Sequence, residues 1–114
     1  MRKAGLLFSI TFLANLFSAS ASLAADASGE AVYDKWCSHC HGPESQEHPG
    51  TIALLTKYQG NLPADIRERE DLTEESVSFY VRNGISVMPF FRKTEINDSE
   101  LEALSRYIVN YARQ

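Results

Sequence analysis

Cys37-Ser38-His39-Cys40-His41 sets two thiols three positions apart and an imidazole directly after the second. On a helical turn such thiols reach the two vinyl groups of one porphyrin, and His41 is then placed to bind iron from the same face. This is the arrangement that attaches c-type haem. Other readings of the same residues need surroundings that are missing. A thioredoxin-like pair requires a strand before the first cysteine and βαβ alternation after it. A zinc site drawn from Cys37, Cys40, His41 and His48 has an overlong interval between its histidines and lacks the other half of a ribbon. A disulfide between Cys37 and Cys40, the chain's two cysteines, would close too short a loop to stabilise much. Two buried cysteines beside a histidine by coincidence is the remaining alternative.

An iron held by His41 has a second axial position, and Met88 is the main candidate for it. It is one of two methionines, the other being Met1, and it stands before Pro89 in a non-helical segment between two helical ones. A lone methionine is ordinarily core filler; beside a haem motif its thioether becomes a ligand. His48 is so near His41 in the chain that it would have to pass the haem edge to reach the other face. With Met88 in place both axial positions are filled and the expected role is electron carriage. His/Met ligation raises the reduction potential relative to His/His, which suits acceptance from a flavin or quinone. An open iron would instead mean a gas sensor or a peroxidase-like protein.

The rest of the sequence must position these groups. Met1-Arg2-Lys3, an apolar stretch from Leu6 to Phe17 and the small residues of Ser18 to Ala25 read as a secretory signal peptide. Cleavage after Ala24 leaves a domain of residues 25–114, expected to be periplasmic, with no further run of membrane-spanning length. A retained anchor is the alternative. The whole chain of 114 residues carries a formal charge of −4; without Arg2 and Lys3, nine cations face fifteen anions, a charge of −6, which disfavours nucleic acid as a partner. A domain of about 90 residues has a marginal apolar core, and a covalent cofactor would add to it.

Helical spacing recurs in three places. Gly29 to Cys40 aligns Val32, Tyr33, Trp36 and Cys40 on one face. Thr73 to Asn83 starts on a capping threonine, ends before Gly84 and turns Val77, Tyr80 and Val81 inward, with Leu72 as a staple. Asp98 to about Ala112 starts on an Asn97/Glu100 capping box and carries Leu101, Leu104, Tyr107, Ile108 and Tyr111 in a stripe. Gly42 to Asp71 is expected to be mostly loop, with a short helix near Thr51 to Tyr58.

These features in this order resemble class I monohaem cytochromes c: Gly29, Tyr33 and Cys37 match the first helix, Cys37 to His41 the haem site, Met88-Pro89 the ligand pair, Leu104 and Tyr107 the last helix. The segment Val81 to Phe91 resembles more narrowly the cytochrome subunits of p-cresol methylhydroxylase-type flavocytochromes. The resemblance implies an all-α cytochrome c fold, three to four helices and loops around one covalent haem c, with Gly29 allowing Tyr107 to approach. It implies that the Pro49 carbonyl orients His41 and that Phe91 packs near the haem. A redox partner is implied too: a flavin or quinone dehydrogenase as donor, and a downstream cytochrome, copper protein or oxidase as acceptor. Phe90, without an inward role, and Arg92 and Lys93, forming a locally positive edge, are the expected docking residues. Ala64 to Asp71 is expected to be a solvated loop, unless Arg67 or Arg69 pairs with a haem propionate.

Overall fold

The computed structural model describes residues 27–44 and 46–114, so the expected signal peptide, 1–24, lies outside the described residues. Five α-helices and one 3-10 turn follow in order: α1 (Gly29–Trp36), α2 (Ser38–His41), α3 (Pro49–Tyr58), the 3-10 turn Ile66–Glu68, α4 (Glu74–Asn83) and α5 (Asp98–Tyr111). The described residues form no β-strand, only an isolated bridge between Ile85 and Met88, and none of their helices is long and apolar enough to cross a membrane. This is the expected all-α architecture.

The first and last of the described helices supply the central contact, where α1 lies directly against α5. A Cβ on Gly29 would stand 2.1 Å from the Ala103 carbonyl oxygen and 2.6 Å from Tyr107 Cβ, so glycine is what permits this approach. Tyr33 and Tyr107 then meet with ring centroids 5.6 Å apart. Helix α4 packs on α5 through Val77 and Val81, and a Ser78–Ser105 hydroxyl bond of 3.1 Å satisfies the buried Ser105. The core gathers Val32, Tyr33, Cys37, Val77, Val81, Ile96, Leu101, Leu104, Ile108 and Val109.

Local chemistry explains most boundaries. Thr73 and Ser76 form a reciprocal capping box at α4, as Asn97 and Glu100 do at α5. Gly84, at φ +68°, ends α4 with its N–H donating to the Tyr80 carbonyl. The helix expected from Gly29 to Cys40 is divided at Cys37. There the Ser38 hydroxyl donates to the Asp34 carbonyl at 2.7 Å, taking the acceptor a continuous helix would offer its own N–H, a substitution that bends helices. The region expected to be mostly loop contains α3 and the 3-10 turn; Pro49, with its fixed φ, starts α3. Tyr80 faces outward rather than into the core, because Val77 and Val81 already fill the α4 stripe on α5, and Tyr111 is also exposed.

Candidate haem-binding site

Cys37 closes α1 and opens the single turn α2; its carbonyl accepts from the N–H groups of both Cys40 and His41, at 3.0 and 2.8 Å. That geometry sets Cys37, Cys40 and His41 on one turn. The thiols differ: Cys37 is buried and its pKa is pushed up to about 12 by burial, with Cys40 adding to it, whereas Cys40 is exposed. His41 is partly buried, and burial lowers its pKa from the ordinary 6.5, opposed by Asp65, which favours the neutral imidazole. Its Nδ1 is the single buried side-chain polar atom without a hydrogen-bond partner among the described residues.

On the α3 side the neighbours of this turn are backbone and small groups. A Cβ on Gly50 would lie 2.9 Å from His41 Cε1 and 2.6 Å from the Cys40 carbonyl oxygen. Thr51, fully buried, donates to the Gly42 carbonyl at 2.7 Å. The expected orientation of His41 by the Pro49 carbonyl is not found, since Nδ1 has no partner. As the first residue of α3, Pro49 turns its carbonyl into that helix, and Gly50 takes the place against the ring. His48 approaches the His39 carbonyl through Nδ1 at 3.3 Å and covers Gly42, so it lies along the motif's own loop. Among the described residues no three of His, Cys, Asp or Glu gather as a metal cluster would require.

Met88 occupies a second, differently built region. The chain reverses between Ile85 and Met88, whose N–H and carbonyl groups pair at 3.2 and 2.9 Å around Ser86 at φ +54°. The Phe91 N–H then donates to the Val81 carbonyl at 2.8 Å, which folds the segment back along α4. A Cβ on Gly84 would stand 2.6 Å from the Met88 carbonyl oxygen. Met88, Trp36 and Phe91 are partly buried against the core cluster that contains Cys37, and Phe91 meets Trp36 edge-on at 5.7 Å. Arg82 holds the segment: Nη1 donates to the Phe91 and Ile96 carbonyls at 3.1 and 2.9 Å, and Nη2 to Asp98 at 3.0 Å. Arg82 has no periodic signal that would give it this role; its place on the last turn of α4, before an irregular segment rich in free carbonyls, is the available clue.

Two expectations about charge change. Arg92 pairs with Glu95 and Lys93 with Asp98, so the two cations beside the exposed Phe90 are each engaged by a carboxylate rather than free. Ala64, Asp65 and Arg69 are buried rather than solvated. Arg67 and Arg69 are each held by a carboxylate two positions away, Asp65 and Asp71, through both Nε and Nη2. Their forks are therefore already engaged within the protein, and the alternation Asp-x-Arg-x-Arg-x-Asp was the sequence signal for it.

An imidazole whose buried Nδ1 lacks a protein partner, two unbridged thiols on the same turn, and a methionine on the cluster shared with one of those thiols fit the chemistry of a covalently attached haem. Comparison with known proteins agrees. The family described as cytochrome c oxidase, cbb3-type, subunit III has a model that matches residues 24–108. The 4-cresol dehydrogenase [hydroxylating] cytochrome c subunit of Pseudomonas putida is 31% identical over 81 residues, which is 71% of this chain and 58% of that relative. The chain thus spans less than two thirds of its relative's length. From a single Cys37–His41 motif, a helical fold closed by α1 on α5, and a family match over most of its length, the chain belongs to the cytochromes c, as a monohaem electron carrier whose cofactor is haem c.

Proposed function

We propose that the protein is an exported one-electron carrier with His41 and Met88 as axial ligands, reduced by a flavin- or quinone-dependent dehydrogenase. The dehydrogenase acts on phenolic or alcohol substrates, and a downstream cytochrome, copper protein or oxidase takes the electron. Residues 1–24 are the signal peptide and 25–114 the working domain. The observation that carries the His41 assignment is its buried, unpartnered Nδ1 on the turn that also bears both thiols. The likeness to a dehydrogenase's cytochrome subunit supports the donor class.

Bound haem supplies a reversible Fe(II)/Fe(III) couple. The chain's own part is to hold that group by Cys37 and Cys40, to present His41 without a competing proton, and to keep water from Met88. The lowered pKa of His41 favours the neutral imidazole that ligation needs. Phe91 and Trp36 shield the Met88 side of the core. Phe90, exposed beside them, is the docking contact; with Arg92 and Lys93 already paired to carboxylates, the contact is chiefly apolar.

Absorption spectra of the purified holoprotein, with N-terminal sequencing of the exported form, test this reading. Low-spin haem with the weak red band of methionine sulfur and a mature start at Ala25 support it. High-spin ferric haem that responds to carbon monoxide, or an intact Met1 end on the exported protein, would overturn the corresponding part.

A further inference from the structure

Tyr33 is 1% exposed, and its hydroxyl donates to the backbone carbonyl of His41. That carbonyl ends α2, where no following helical turn supplies a donor. A single four-residue turn has little stability of its own, so a buried donor from another helix matters to its position. The phenol is itself fixed on several sides. Tyr107 of α5 packs on its ring, and the Arg67 guanidinium lies over it at 4.9 Å while also facing Tyr111 at 4.7 Å. Asp65 in turn holds Arg67 with bonds of 3.0 and 2.6 Å. The haem motif is thereby tied through one hydroxyl to α1, to α5 and to the 3-10 turn.

We propose that Tyr33 is a positioning residue for the axial histidine, with Arg67 as its support, and that the pair raises the reduction potential of the bound haem. This rests on His41 being the ligand. The hydroxyl hydrogen directs the positive end of its dipole at the peptide of the ligand residue. Positive potential there favours the less positively charged Fe(II) form. Replacing the hydroxyl by hydrogen removes that bias and frees the His41 carbonyl to turn toward water. Arg67 acts one step further out, by keeping the ring from rotating away; a lysine retains its charge but not the planar stack or the two-pronged bond to Asp65.

The decisive measurement is redox titration of the holoproteins of Tyr33→Phe and Arg67→Lys, with Thr73→Ala, which removes the capping box of α4, as the control variant. In Tyr33→Phe the ratio of reduced to oxidised protein at the wild-type midpoint should fall about threefold, equivalent to about 28 mV at 59 mV per decade for one electron. Arg67→Lys should move it the same way by less, and Thr73→Ala should lose thermal stability with no change in potential. Wild-type potentials in both site variants, whatever their stability, would overturn the inference. Should Tyr33→Phe fail to accumulate, Arg67→Lys decides alone by the same criterion. A wild-type spectrum without histidine ligation would instead defeat the underlying ligand assignment, and that result is read before any variant is made.

Discussion

The turn that carries Cys37, Cys40 and His41 and the segment that carries Met88, the two parts of the proposed ligand set, are built in opposite ways. The first is local: three chemical groups within five residues, spaced by one helical turn and closed by bonds back to the Cys37 carbonyl. The second has no regular element around it. Its path depends on Arg82 reaching three partners beyond the end of α4, on Gly84 at positive φ, and on the return of Phe91 to Val81. A group placed by helix geometry is robust to single changes in its surroundings. A group placed by a few long-range bonds is sensitive to each of them.

The strongest break in this contrast is removal of the two proposed ligands themselves. His41→Ala should lose most of its covalently bound haem, because ligation helps assemble a domain with a small core. Met88→Ala should keep its haem, with a lower potential and an iron open to carbon monoxide. Haem staining of denaturing gels and carbon monoxide difference spectra check the pair; equal, normal yields of low-spin protein from both would remove the distinction. Next is Arg82→Met, which leaves the Phe91 and Ile96 carbonyls without their donor and should cost about 2 kcal/mol in denaturant titration. Part of its haem should become high-spin while covalent attachment stays normal. Gly84→Ala should cost about 1 to 2 kcal/mol, since a Cβ meets the Met88 carbonyl and the positive φ suits glycine. Its spectral change should be smaller than that of Arg82→Met, and the reverse order would show that the turn, not the arginine, sets the position of Met88.

The smallest expected effect is acid dependence at the outer end of the same bond set. Hydrogen bonding from Lys93, and then from Arg82, holds the Asp98 carboxyl below its ordinary 3.8. A depressed carboxyl stabilises the fold above its ordinary pKa and loses that contribution as pH falls through the folded value. Asp98 is well exposed, so the contribution is slight. Thermal melts of Asp98→Asn should fall less steeply than those of wild type below about pH 4; identical slopes would mean that the pair adds nothing to the Arg82 bonds.

The same contrast governs what a reader of the sequence can extract. Caps declare themselves because donor and acceptor lie three residues apart, as at Thr73 and at Asn97 with Glu100. The haem motif is legible for the same reason, and the close approach at Gly29 was legible through the resemblance. Arg82 was not, since its acceptors are carbonyls nine and fourteen residues away in irregular chain. Ile96, fully buried, belongs to no periodic stripe. Tyr80 was assigned inward by spacing alone, yet the width of the stripe is set by α5, which spacing does not contain. Asp65 and Arg69 were read as solvated because charge usually is; pairing two positions apart made burial tolerable.

The contact at Gly29 also bears on how the chain comes into being. Helix α1 finds its packing surface on α5, nearly the whole domain later in synthesis, and the Cys37–His41 turn is attached directly to α1. Closing so long an interval is slow compared with forming a helix. During elongation, therefore, Cys37 precedes the surface against which its helix will pack, and burial of its thiol in the core shared with α5 must await that surface.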